Sequence, residues 1–186
     1  MKNIGTIIFC MARKNSKDLI SISIYQLMYR LPYNKISVKL ICEKAGVSRM
    51  SFYRHYSTKE DIFINFSDER FAEFYEKYME NKDLSLETFT QNVVHYFKKY
   101  SRQIKVLEKA DKMSILITQF ERYASYLMSH VKSMSLFRYK DNPLAVPYFA
   151  GGLFNVLVYW SKHNFKKSEK EMADLLEKLI TYKLPD

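Results

Sequence analysis

The hydrophobic positions of this chain recur at helical spacing almost from end to end. Near the C-terminus, Met172, Leu175, Leu176, Leu179 and Ile180 fall at three- and four-residue steps, which puts them on one stripe of a helix. From Tyr33 to Asn142 there is no proline and a single glycine, Gly46. A sheet protein needs turn residues about every 8–12 positions, so this stretch predicts helices. Small polar residues mark where they start. Asn15 or Ser16 is placed to cap a first helix to about Arg30, stopped by Pro32, and Ser37 a short second one ending at Ala45-Gly46. Ser48 caps a third over Arg49–His55. Ser57 or Thr58 caps a long fourth to about Asn81, with Glu60 and Asp61 in the first turn, where the helix dipole favours carboxylates. Further helices are expected over about Leu84–Ser101, Gln103–Ala110 and Lys112–Ser135, and from Pro143 or Pro147 to His163. The last opens on Ser168-Glu169-Lys170-Glu171, a capping box in which Ser168 and Glu171 satisfy each other's backbone N–H groups.

Leu144–Trp160 departs from the amphipathic pattern, being 17 residues without a charge. It falls short of the ~20 residues of a membrane span, and Pro147, Gly151, Gly152 and Asn155 interrupt it. A buried helix is the expectation. Each helix-interior glycine costs about 1 kcal/mol, which close helix packing would offset. A helix apolar all round must be covered somewhere, and a dimer interface is the expected place.

Charge changes the picture more than composition does. The 186 residues carry 30 Lys+Arg against 20 Asp+Glu, a formal net charge of +10, with 47% hydrophobic residues. That composition excludes a disordered chain, and two cysteines, Cys10 and Cys42, cannot form a disulfide framework. Residues 1–60 hold 11 Lys/Arg and 3 Asp/Glu, a net +8, so nearly all the excess lies in the first third. Such asymmetry points to a segment that meets a polyanion, either nucleic acid or an anionic membrane surface. Met1–Ala12 reads as a tail; its apolar run is too short for a signal peptide and no small-x-small site follows. Translation starting at Met11 is a second reading of that segment.

Ile36 to Ile62 carries the functional signal. Two short helices meet at Gly46, where a sharp turn wants a left-handed residue. Ala45 allows a close crossing, and Ile41, Val47 and Phe52 supply an inner face. This is a helix-turn-helix layout, whose second helix enters a DNA major groove. Arg49, Met50 and Ser51 form the N-terminal turn that reaches base edges, with the cap Ser48 also a DNA-binding candidate: Arg49 suits a bidentate contact to guanine, Met50 a thymine methyl. Tyr53, Arg54 and His55 are placed to reach phosphates. Thr58 and Lys59 offer a second phosphate clamp at a helix N-terminus, and Ser37 and Lys39 a third on the other side.

The run Ala45-Gly46-Val47-Ser48-Arg49-Met50-Ser51-Phe52-Tyr53-Arg54-His55-Tyr56-Ser57-Thr58-Lys59-Glu60 resembles the DNA-binding signature of the TetR family of bacterial transcriptional regulators. It departs from that signature at Met50, where the family usually has glycine. The resemblance implies an all-α protein: an N-terminal three-helix helix-turn-helix head, then a C-terminal helical domain that binds an effector and dimerises through its last two long helices. The expected organisation is a tail over 1–12, the DNA-binding domain over 13–57, and an effector-binding and dimerisation domain over 58–186 that begins with the linker helix. Gly151, Gly152, Leu153, Val156, Trp160, Leu175, Leu176 and Leu179 are the expected dimer interface.

Other constellations weaken on inspection. Glu69, Glu73, Glu76 and Glu80 share a helical face, but no His or Cys joins them at ligand spacing, so a solvated stripe is expected rather than a metal site. His95, His130 and His163 have no fixed-spacing partners, and no catalytic motif occurs, so no enzyme activity and no cofactor are expected. Cys42 reads as a packed thiol, with redox sensing as the alternative. Aromatic residues such as Phe89, Tyr96, Phe97, Phe120, Tyr123 and Tyr126 suit either core packing or a pocket for an apolar effector, whose identity the sequence leaves unknown. The function expected is a cytoplasmic, dimeric regulator that binds a double-stranded DNA operator and is a repressor released by a small-molecule effector, without a membrane partner. The alternatives are a helical adaptor of the same fold without an effector, and a membrane-surface protein.

Overall fold

The computed structural model describes residues 15–78, 85–130 and 142–181. The tail over 1–12, Cys10, the choice between Met1 and Met11, Glu80, and the expected helix ends at Asn81, Leu84 and Ser135 lie outside them. Among the described residues there are nine α-helices, one 3₁₀ turn and no strand. The helices are α1 (Ser16–Met28), α2 (Val38–Ala45), α3 (Arg49–His55), α4 (Glu60–Tyr78), α5 (Leu86–Lys99), α6 (Ser101–Lys109), α7 (Met113–His130), α8 (Ala145–Lys162) and α9 (Glu169–Thr181). The 3₁₀ turn, Tyr33–Lys35, lies between α1 and α2 and has no counterpart in the sequence expectations.

Local polar chemistry accounts for the starts. The side chains of Asn15, Ser37, Ser48 and Ser85 each accept a backbone N–H three residues on, at 3.0–3.1 Å. The Ser168–Glu171 box is reciprocal: Ser168 N–H donates to the Glu171 carboxylate (2.7 Å) and Glu171 N–H to Ser168 Oγ (3.2 Å). At the end of α2, Gly46 has φ 67°, in the left-handed region, and Val47 N–H closes back onto Cys42 O at 3.1 Å. A Cβ at Gly46 would meet nothing within 4 Å, so it is the backbone conformation, not space, that favours glycine there.

The chain divides into two compact units. The first takes the described residues to Phe66 together with Lys105–Lys112. In it α1 packs on α2 and α3. Ile20, Ile24, Ile41, Phe52, Ile62 and Phe63 are fully buried. Cys42 is also buried, and burial pushes its thiol pKa up, as suits a packed side chain. Val106 and Leu107, from the returning segment, are buried as well. The second unit takes Ser67–Ile104 and the described residues from Met113 on. There α5 packs on α9 and α8, and α7 on α8. The core gathers Phe74, Phe89, Val94, Phe97, Leu127, Leu157, Trp160, Met172 and Leu176.

The turn from α8 to α9 is tight. Asn164 and Phe165 both take positive φ, 54° and 55°. A left-handed non-glycine residue costs roughly 1–2 kcal/mol. Here the turn sets the Phe165 ring edge-on against Trp160 at 4.7 Å, while Trp160 Nε1–H donates to Lys167 O at 2.9 Å. Packing and a satisfied indole offset the backbone cost.

Candidate nucleic-acid interface

The helix α3 is short and held from beneath. Phe52 anchors it in the core at 0% exposure, and Tyr56, also buried, packs its ring 5.7 Å from that of Phe52. The opposite face is left to solvent. Arg49, Tyr53 and Arg54 are exposed, and Met50 is 85% exposed at the N-terminal turn. Tyr53 follows Met50 by one turn, so the two share a face flanked by arginines. Arg54 donates to Ser51 Oγ at 3.3 Å, which orients its guanidinium along the helix. Lys39, on α2, is exposed and forms a long ion pair with Glu43, at 3.8 Å.

Ser37 and Ser48 are N-caps, their hydroxyls occupied by Leu40 and Ser51 N–H groups. Three of the expected phosphate contacts are committed inside the protein. His55 Nε2 and Ser16 Oγ hydrogen-bond at 2.8 Å, tying the end of α3 to the start of α1. Asp61 takes the backbone N–H groups of Ser57 and Thr58, both at 2.8 Å, and Asp61 N–H bonds back to Thr58 Oγ1. Burial would raise the Asp61 carboxyl, but these donors outweigh it and hold it below the usual carboxylate range. The N–H groups expected to clamp phosphate therefore serve a carboxylate of their own helix. Lys59 Nζ donates to Ile36 O at 2.6 Å and Tyr33 O at 3.4 Å, and lies 4.2 Å from the centre of the Tyr33 ring. Its ammonium is an internal tether, not a cation turned outward.

Sequence reasoning missed Tyr33, Asp61 as the reciprocal cap, and Lys112. Thr58-x-x-Asp61 has capping-box spacing and was a readable signal. Lys112 reaches the head from a segment distant in sequence: its Nζ is 3.1 Å from Glu60 Oε1 and 4.9 Å from the centre of the Tyr33 ring. No local pattern marks that.

In the second unit the expected dimer residues separate. Trp160 and Leu176 are 2% and 1% exposed within a single chain, so they belong to its core and offer no surface to a partner. Gly151, Leu153, Val156 and Leu175 are half-buried, while Gly152 and Leu179 are exposed. The outward face of α8 instead runs through Tyr148, Gly152, Asn155 and Tyr159, with Leu144 just before the helix. A Cβ at Gly151 or Gly152 would meet nothing within 4 Å, so no close approach among the described residues calls for either glycine.

Glu73, on the acidic stripe, accepts from Lys99 (2.8 Å) and Tyr100 (3.1 Å) and pairs with Arg70 at 3.1 Å. Lys99 above all holds its carboxyl below the usual range. Among the described residues no group of His, Cys, Asp or Glu is placed to hold a metal, and no helix is long and apolar enough to cross a membrane.

No curated protein matches the chain by sequence. Solved structures share its fold, three of them as follows. The dihydroxyacetone kinase operon activator DhaS is 15% identical, with a TM-score of 0.63, covering 89% of this chain and 93% of its own. A fatty acid degradation regulator FadR from Bacillus halodurans is 21% identical (TM-score 0.62, 90% and 99% covered). A TetR transcriptional regulator from Streptococcus agalactiae 2603V is 18% identical (TM-score 0.64, 96% and 99% covered). At these identities the likeness concerns the fold. Residues 24–65 match the family described as bacterial regulatory proteins, tetR family, and residues 84–182, more than half of the chain, match the transcriptional regulator C-terminal region. With a helix-turn-helix whose third helix projects Arg49 and Met50, and both family segments in order, the chain belongs to the TetR family of transcriptional regulators.

Proposed function

We propose that this regulator binds, as a homodimer, a roughly palindromic DNA operator, with α3 of each copy in successive major grooves. One observation carries the reading. The first turn of α3 presents Arg49 and Met50 outward from a buried Phe52, with Tyr53 and Arg54 beside them. Arg49 reads a guanine edge and Met50 a thymine methyl, while Tyr53, Arg54 and Lys39 meet phosphates.

For the second copy, the face of α8 through Tyr148, Gly152, Asn155 and Tyr159 supports the reading better than the set expected from sequence. Leu179 of α9, from the expected set, is likewise exposed. Two helix-interior glycines cost about 1 kcal/mol each. Packing among the described residues gives no return for them, which a close crossing with another helix would. The small-molecule effector would be held by the second unit, working in the cytoplasm, and would release the protein as a repressor by favouring a state that binds DNA less well. Activation is the second reading, favoured by the operon activator among the fold neighbours.

A mobility-shift assay with DNA flanking the coding sequence tests this. A salt-sensitive shift is expected. A folded dimer that shifts none of it at low salt would favour the adaptor reading, and binding to anionic liposomes alone the membrane-surface one.

A further inference from the structure

Tyr33 stands at a junction. It opens the 3₁₀ turn that leads into α2, its ring is 5.9 Å from that of Phe63 on α4, and two ammonium groups lie on it, Lys59 at 4.2 Å and Lys112 at 4.9 Å. Glu60 pairs with Lys112 at 3.1 Å and offsets the repulsion between the two lysines. Lys59, in turn, holds the Ile36 carbonyl, directly before Ser37, the cap of α2. The cluster thus joins three pieces: the entry to α2, the first turn of α4, and the end of the 105–112 segment.

The backbone at that segment is built to aim Lys112. The helix α6 ends in a Schellman turn, with Lys112 N–H bonded to Leu107 O at 2.9 Å and Asp111 left-handed at φ 55°. Leu107 and Val106 are buried at 1% and 4%, which fixes the turn to the first unit. A half-buried ammonium against an aromatic face and a carboxylate is desolvated enough for both attractions to matter. The neighbouring groups also act on Glu60: burial would raise its carboxyl, and Tyr33 and Lys112 together hold it below the usual range.

We propose that Lys112 is a positioning residue for DNA binding: through Tyr33 and Glu60 it fixes the seat of α2, and hence of α3, on the first turn of the linker helix. The 105–112 segment then sets DNA affinity through head geometry, not through its own charge on DNA. This rests on the proposed operator binding.

The test uses the full-length protein and a duplex that the wild type selects from a random-sequence pool. Lys112→Met is expected to weaken binding about tenfold, the size a part-buried cation–π contact with its ion pair supports, while leaving the slope of affinity against salt unchanged. Lys112→Arg keeps the cation and should restore most of the affinity. Tyr33→Leu should weaken binding by itself, and Lys112→Met added to it should cost little more, because the two act through one contact. Circular dichroism of each variant checks folding, and Glu60→Gln gives a milder perturbation with the same expected direction. Unchanged affinity in folded Lys112→Met overturns the proposal. So does a slope reduced by about 0.9, the signature of a direct phosphate contact. A wild-type dimer that selects no duplex overturns the operator reading itself, and the positioning role with it.

Discussion

On α3, Arg49 and Arg54 stand exposed without an acidic partner among the described residues, and Met50 and Tyr53 lie between them. On the surfaces of α4, α5, α7 and α9 the same kinds of side chain are spent on one another. Glu73 is held by Lys99, Tyr100 and Arg70, Glu169 by Lys98 and His95 at 3.1 Å each, and Asp68 by Arg122 and Tyr123. Neutralised pairs have little left to offer a polyanion, while an uncompensated guanidinium on a rigid turn does. The contrast is sharper than the charge count suggests. Of the Lys and Arg residues that give the first third its excess, Lys59 is withdrawn into the head; His55, which adds nothing to that count, stands beside the arginines and bonds Ser16.

The largest test of this contrast lies on the second unit. Trp160→Ala is expected to destabilise the folded chain by about 3–5 kcal/mol in chemical unfolding, as loss of a core aromatic does. Gly152→Leu, on the outward face, should leave the isolated fold nearly intact and shift sedimentation from dimer to monomer. A Trp160 variant that kept its stability and only dissociated would return that residue to the interface.

Arg49→Ala is next. It should cost about 1–3 kcal/mol of operator affinity and relax preference at one base pair, with the melting midpoint unchanged. Arg54→Ala should weaken all sequences alike and lower the salt slope by about 0.9. A loss of thermal stability in either would mean that α3's outer face is structural after all.

Asp61→Asn comes third, at about 1 kcal/mol of stability at neutral pH, typical of a lost cap. The Asp61 carboxyl is held below its ordinary value in the folded protein. Its contribution is therefore present above the unfolded aspartate pKa of about 3.9 and lost as pH falls through the lower folded value. The difference between wild type and variant in urea melts should close on acidification; a gap that persisted at low pH would rule out the carboxylate as its source. Smallest is Lys99→Met, a surface pair worth about 0–1 kcal/mol, which should leave DNA binding untouched.

What the sequence made legible follows the range of the interaction. The caps at Ser37, Ser48 and Ser168, and the left-handed glycine at 46, depend on residues three or four apart, so their spacing is written in the chain. The buried side of α8 was not readable for the opposite reason. A helix apolar all round carries no phase, so only the neighbours decide that Trp160 turns inward and Tyr159 outward. Lys59, His55 and Lys112 were misread or missed because their partners lie 23 to 79 residues away. Long cationic side chains are placed by tertiary contacts that no period announces.

The segment that brings Val106, Leu107 and Lys112 to the first unit has a consequence for protein engineering. Regulators of this kind invite head exchange, in which the DNA specificity of one is grafted onto the ligand response of another. A cut after residue 66 would carry α1 to α3 and the start of α4 but leave their hydrophobic plug and its lysine in the recipient. The transferable module here is two stretches of chain, and a chimera that moves only the first leaves Val106, Leu107 and Lys112 behind and meets foreign residues in their place.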